Sequence, residues 1–464
     1  MTENTNSIWL PDLVYLDGHF NSNVAVVANA SGRITSFEEP TSHVVTDLKN
    51  KALLPGLINA HSHAFQRVIR GRTEFRSEAS TDSFWTWREL MYRAANKLEP
   101  EDIYAASRMA FLEMVLAGIT TVGEFHYVHN ATNGQPYDDP NLLAKEVIRA
   151  ANDVGMRIAL LRVAYERAGF QKAPNPLQQR FIESAGSYLT NLQRLIDDVN
   201  DDSGRAWVGA APHSVRAVSL NYLKEVGAFA HALKIPVHMH VAEQPAEVAA
   251  CIEEYGRSPI ALLETESLLN EHFTAVHAIH VTKKAVESIA RNRANVCACP
   301  TTERNLGDGV VPVDEYFAAG VPVSLGTDSQ TQIDLLEDAR ELEYHLRLQK
   351  KERNVLAPDN SHEASSLARR LFECATTNGA SSLGFVGGQL KVNTPADFFT
   401  VDLNDASICG AAPDDLLSQI VFSLSRTGVC DVTVGGKQIV ENGRHFQQDE
   451  IIDEFKTLQK RLGM

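Results

Sequence analysis

Apolar and polar positions follow two textures along this chain. Residues 8–57 read as short strands broken by turns. Val24-Ala-Val-Val-Ala28 leads into the turn-forming run Asn29-Ala-Ser-Gly32, and Arg33-Ile-Thr-Ser-Phe37 alternates like a half-buried strand. The same texture returns in Asp397-Phe-Phe-Thr-Val-Asp402 and in Asp431-Val-Thr-Val-Gly-Gly-Lys-Gln-Ile-Val440. These flanking segments predict a small β-sandwich domain assembled from residues 1–57 and 386–464.

The middle, residues 58–385, alternates differently. Eight strand-like runs are Leu57 to His63, Thr120 to Phe125, Arg157 to Val163, Trp207 to Ala211, Pro236 to Val241, Phe273 to His277, Asn295 to Cys299 and Val321 to Gly326. Between most of them lie helix-like segments such as Asp102 to Leu116, Leu142 to Val154, Leu220 to Leu233 and Thr282 to Arg291. Repeated units of this length predict an α/β fold with a parallel (β/α)8 barrel of the TIM type. No repeat of solenoid period interrupts the pattern.

Barrels of this kind carry their chemistry at the C-terminal ends of the strands. Strand one ends in His61 and His63, and residues i and i+2 of a strand share a face, so both imidazoles can grip one ion. Strand five ends in His238-Met-His240-Val-Ala-Glu243, strand six in His277, and strand eight in Gly326-Thr-Asp328-Ser. Taken singly, His240 reads equally as a core histidine, Asp328 as a helix cap and Glu243 as a surface carboxylate. Their coincidence at the ends of strands one, five and eight points instead to His61, His63, His240 and Asp328 as nitrogen and oxygen donors for Zn2+ or a similar divalent ion. Strand four, Trp207-Val-Gly-Ala-Ala-Pro-His213, offers no lysine that could be carboxylated to bridge two metals, so one ion per chain is expected. Cys297 and Cys299 share a strand face, but the donor set is complete without them and core packing accounts for both.

One Lewis-acidic ion points to the activation of water. For attack on a C=N carbon, Asp328 can take the water proton, Glu243 can carry a proton to the nitrogen, and His277 can steady the developing charge.

Composition narrows the setting. The chain has 464 residues, of which 44% are hydrophobic and 22% charged, as in an ordinary globular protein with room for a large core. No apolar run reaches the roughly 18 residues of a membrane span, and Met1-Thr-Glu-Asn-Thr-Asn-Ser7 lacks the basic-then-apolar build of a signal peptide. Six scattered cysteines suit a reducing cytoplasm better than a disulfide framework. The net charge of −16, without a basic tract, argues against a nucleic-acid partner. An anionic small-molecule substrate would also be repelled by that field and would need arginines within its pocket.

The motifs resemble the amidohydrolase superfamily, and the His-x-x-Glu run after strand five resembles its mononuclear deaminase branch. Within that branch the chain is similar to the formimidoylglutamate deiminase family. The matching segments are His61-Ser-His-Ala-Phe-Gln66, Asp82-Ser-Phe-Trp-Thr-Trp-Arg-Glu-Leu-Met-Tyr92, Glu124-Phe-His-Tyr-Val-His129, Pro212-His-Ser-Val-Arg216, His240-Val-Ala-Glu-Gln244 and Thr302-Glu-Arg-Asn-Leu-Gly-Asp-Gly309. The resemblance implies hydrolysis of N-formimino-L-glutamate to N-formyl-L-glutamate and ammonia in histidine degradation, and a homodimer. It implies the four ligands above, Glu243, His277 and Asp328 as catalytic groups, and substrate contacts from Gln66, Arg88, Tyr127, His213 and Arg216. The two arginines would meet a dicarboxylate as bidentate forks; the bland reading of Arg88 is a salt bridge to Glu89 or Asp82. One departure stands out. The family's run after strand eight is Ser-Asp-Ser-His, whereas this chain has Thr327-Asp328-Ser-Gln330, with a glutamine where a pocket histidine is implied. The identity of the imine is therefore open. A deaminase of a purine, pterin or cytosine-like ring is the alternative within the same chemistry, and a catalytically inactive barrel scaffold is the alternative outside it.

Overall fold

A computed structural model describes residues 6–38, 46–76, 82–173, 175–199, 204–359 and 363–463; the leading Met1-Thr-Glu-Asn-Thr5 run lies outside them. Eight parallel strands pair in chain order, and only these are numbered: β1 Leu57–Ser62, β2 Ile119–His126, β3 Arg157–Ala164, β4 Ala206–Pro212, β5 Val237–Val241, β6 Phe273–His277, β7 Asn295–Ala298 and β8 Val323–Leu325. Every residue of β2 and β3 is buried, as expected of strands in a parallel sheet covered on both faces. Helices on the outside cover them. The Leu142–Val154 helix stops at Gly155, whose φ of 90° places it in the left-handed region that ends helices. The Lys283–Arg291 helix starts where Thr282 accepts a hydrogen bond from the Ala285 N–H.

The barrel closes where β8 returns to β1. Asp328 N–H donates to His61 O and His63 N–H donates to Asp328 O, each at 3.0 Å. Gly326 makes this approach possible. A Cβ there would lie 2.7 Å from His61 Cβ and 2.8 Å from His61 O, closer than packed atoms come. The expected (β/α)8 barrel is thus present, and its seam runs through the histidine pair.

A second, nine-stranded sheet draws Ser7–Leu16, His19–Asn21, Ala25–Ala28, Ile34–Glu38 and Thr46–Pro55 from one end of the chain. From the other end come Phe398–Asp402, Val429–Val434, Lys437–Glu441 and Arg444–His445. Its pivotal strand is Thr46–Pro55, parallel to Ser7–Leu16 and antiparallel to Phe398–Asp402. That strand passes through Gly56 directly into β1, so the sheet sets the position of the first histidine-bearing strand. A buried ion pair between Arg157 Nε and Asp397 Oδ2, 2.7 Å apart, ties the start of β3 to the same sheet. Among the described residues, no helix is long and apolar enough to cross a membrane.

Replacing Gly326 by alanine should push β8 off β1. We expect a loss of about 1–3 kcal/mol, the usual cost of overpacking, read as a lower melting temperature together with reduced retention of bound metal. A variant with wild-type melting and metal content would mean that the seam tolerates the extra methyl.

Candidate metal centre and pocket

Four donors converge at the seam. One ligand atom each from His61, His63, His240 and Asp328 can be chosen so that all lie within 4.8 Å of one another, and all four side chains are buried. The tautomers of His63 and His240 are set from behind. His63 Nδ1 lies 2.9 Å from Phe125 O and His240 Nδ1 lies 3.1 Å from His213 O; a carbonyl only accepts, so both Nδ1 atoms carry protons. Each Nε2 therefore turns a lone pair inward, and His240 Nε2 sits only 3.2 Å from His61 Nε2. Burial pulls the His61 pKa down to about 3 and holds His240 well below the ordinary histidine value. For Asp328 burial works the other way, yet the closeness of His61 and His63 outweighs it and keeps the carboxyl well below its usual range. Three imidazoles converging beside a carboxylate, with the Nε2 lone pairs of His63 and His240 turned inward, suit a divalent cation. His277, Cys299 and Asp328 form a second close set of three possible donors. Cys297 and Cys299 pack with Ala60 and Val276, as the sequence reading expected of core thiols.

Several strand ends leave the β region at this site. Ala242 (φ 53°), His277 (φ 68°), Ala278 (φ 48°), Asp328 (φ 46°) and Gln330 (φ 62°) all adopt left-handed backbone, a costly conformation for non-glycine residues that turns their side chains out of strand alternation. Asp328 thereby points Oδ1 at His63 Nε2, 3.1 Å away, and Oδ2 toward His277 Nε2 at 3.8 Å. His277 stacks on His240 with ring centroids 5.5 Å apart, and its Nε2 also lies 3.8 Å from Glu243 Oε1. Burial raises the Glu243 pKa above the usual carboxylate range. Burial disfavours a charged His277, but Glu243, Glu303 and Asp328 together hold its pKa well above the ordinary value.

A narrow cavity of ≈ 40 Å³ opens above these groups. Of the residues nominated from sequence, His63, His240, Asp328, Glu243, His277, Gln66, Arg88, Tyr127, His213 and Arg216 all line it, while His61 lies beneath. Gln66 Nε2 donates to Tyr127 Oη at 2.9 Å, leaving Gln66 Oε1 buried without a partner. Arg88 makes no ion pair among the described residues. Its Nε and Nη1, and Arg216 Nη1, are buried polar atoms with no hydrogen-bond partner. Both guanidinium groups lie near Trp85, at 4.5 and 5.8 Å from the ring.

The roof was not foreseen. The Phe84–Ala95 helix covers the cavity with Phe84, Trp87, Arg88, Met91 and Tyr92, and Leu306 closes the side. A signal was present: positions 84, 87, 88 and 91 recur at helical spacing and so share one face. Only Arg88 was drawn from that run.

Gln330 departs from the expected pocket position. Its side chain turns away from the cavity. Gln330 Nε2 donates to Ser62 Oγ at 2.7 Å, and Gln330 Oε1 accepts from Thr327 Oγ1 at 3.0 Å. Asn59 Nδ2 in turn donates to Thr327 Oγ1 at 2.7 Å, and Ser62 Oγ donates to Glu124 Oε2 at 2.5 Å. The glutamine is a brace across the barrel seam, because the left-handed turn at residues 328–330 aims it backward. Gln330→Ala should cost about 1–3 kcal/mol of stability by stranding Thr327 and Ser62, while KM stays unchanged. A large KM effect with unaltered thermal stability would return the side chain to the pocket.

Comparison with known proteins agrees with this geometry. The model of the amidohydrolase family matches residues 52–439. Formimidoylglutamate deiminase of Pseudomonas aeruginosa is 38% identical over 434 residues, covering 93% of this chain and 94% of that protein. A 5-methylthioadenosine/S-adenosylhomocysteine deaminase of Syntrophomonas wolfei is 27% identical over 429 residues, 90% of this chain and 89% of the relative. The crystal structure of an amidohydrolase from Brucella melitensis superposes with a TM-score of 0.89 at 33% identity, covering 99% of this chain and 100% of the other. Family match, barrel and converging donors lead to one conclusion: the chain belongs to the amidohydrolase family and is a hydrolase.

Proposed function

We propose that this protein is a zinc-dependent iminohydrolase that converts N-formimino-L-glutamate and water to N-formyl-L-glutamate and ammonia. The observation that carries the substrate is the pair Arg88 and Arg216 lining the cavity, each with guanidinium nitrogens that are buried and meet no acceptor. Buried cations without a counter-charge are costly, and a dicarboxylate would relieve both at once. The relative in Pseudomonas aeruginosa supports the same substrate.

A bound zinc ion would supply Lewis acidity, bringing the pKa of a water toward neutrality. His61, His63, His240 and Asp328 would hold it. Asp328 has two tasks and two oxygens, with Oδ1 among the donors and Oδ2 free on the His277 side to accept the water proton. Glu243, kept protonated more readily by its burial, delivers a proton to the departing nitrogen. His277 steadies the charge that develops on the heteroatoms of the attacked C=N group. Gln66 offers Oε1 to a substrate N–H, and Tyr127 and His213 wall the far side.

A second reading has one observation in its favour. Phe84, Trp87 and Tyr92 give the cavity an aromatic roof that would also suit a nitrogen heterocycle, as in the Syntrophomonas relative. Ring substrates give the two arginines no partner, so the linear dicarboxylate is preferred.

Ammonia release from formiminoglutamate, set against a panel of purines, pterins and cytosine, decides between them. Arg216→Met should raise KM for formiminoglutamate roughly ten- to a hundredfold, the weight of a charged hydrogen bond, with metal content intact. Turnover of a heterocycle without any release from formiminoglutamate would overturn the assignment. For Glu243→Gln, kcat should fall at least about a hundredfold while metal is retained. Near-normal kcat in that variant removes Glu243 from the proton path.

A further inference from the structure

Glu303 is a carboxylate in the protein interior, 1% exposed, that the chemistry above leaves without a task. It lies on the short Pro300–Leu306 helix that follows β7. Its Oε1 accepts the Cys299 N–H at 2.8 Å and lies 3.1 Å from His277 Nδ1. A carboxylate only accepts, so the His277 proton at this contact sits on Nδ1. Nε2 is left buried with no hydrogen-bond partner, 3.8 Å from both Asp328 Oδ2 and Glu243 Oε1. The backbone beneath the ring is strained, with left-handed φ at His277 and Ala278. It is pinned there by Tyr316 Oη donating to Ala278 O at 2.6 Å and by Ala278 N–H donating to Val241 O at 3.0 Å. Strain of this kind persists only where surrounding contacts over-determine it.

We propose that Glu303 is the positioning residue of His277. It holds the Nδ1 proton, aims Nε2 at the reacting centre, and links the ends of β6 and β7 so that the ring cannot turn. The inference rests on the part given to His277 in the proposed function. A plain capping role, in which Glu303 only satisfies the Cys299 N–H, is the competing account.

The test uses the full-length, zinc-loaded protein. Four variants are compared with wild type: Glu303→Ala, Glu303→Gln, His277→Asn and the double variant Glu303→Ala/His277→Asn. Glu303→Ala should lower kcat by about 10–100-fold, the usual effect of removing a ligand-orienting partner, with KM and zinc content unchanged. Glu303→Gln, whose amide oxygen still accepts from Nδ1–H, should recover part of that loss. The double variant should be no slower than His277→Asn alone, because the two residues act as a unit. In 15N-histidine spectra the His277 resonances should report a protonated Nδ1 in wild type and lose that signature in Glu303→Ala; this readout needs no substrate. A wild-type kcat in Glu303→Ala, additive losses in the double variant, or an unchanged Nδ1 signature overturns the inference. Should Glu303→Ala not fold, isosteric Glu303→Gln decides, since a further full loss on combining it with His277→Asn overturns the coupling. If formiminoglutamate is not turned over at all, the substrate reading fails while the spectra still decide the Glu303 contact.

Discussion

The backbone bonds between Asp328 and His61 and between His63 and Asp328 close the barrel at the residues that also present its metal donors. Closure and assembly of the site are one event. The seam is held by short side-chain links as well, running from Asn59 through Thr327 and Gln330 to Ser62 and Glu124. Ser62 and Gln330 stand 268 positions apart in the chain, so these bonds join its two distant parts directly. Nothing at the metal centre is local in sequence except His61 and His63. The close approach at Gly326 and the strained turn at Asp328 are what let one carboxylate face both the histidine cluster and the pocket.

Charge is distributed against the grain of the molecule. A chain with a net charge of −16 sets two arginines at its cavity, Arg216 buried and Arg88 partly so, and neither forms an ion pair among the described residues. The nearby acidic groups are committed elsewhere: Glu243 faces His277, Glu303 binds Cys299 and His277, and Asp308 accepts from Gln244. Two guanidinium groups thus stand at the pocket's roof and wall, where they can recognise an anion that the overall negative charge repels.

Much of this was legible beforehand, and the reason is periodicity. The strand-like runs read from apolar alternation lie within a residue or two of β1 to β8, and the Leu142–Val154 and Leu220–Leu233 helices match residue for residue. Histidines at strand ends then identify themselves. Three features were hidden for definite physical reasons. Gln330 was misplaced because a left-handed backbone breaks the alternation that aims side chains. The Phe84–Ala95 roof was hidden because Trp-Thr-Trp-Arg was read as a motif rather than as a helix face. Glu303 looks like any helix glutamate until the fold places it behind His277; burial of a charge is a property of tertiary structure, not of its neighbours in sequence.

The Phe84–Ala95 helix gives one element two duties. Its Phe84, Trp87, Met91 and Tyr92 side chains cover the cavity, and Arg88 on the same element brings a charge to it. A substitution that shifts this helix therefore moves the apolar cover and the arginine together, so the shape and the charge of the pocket are not independently adjustable.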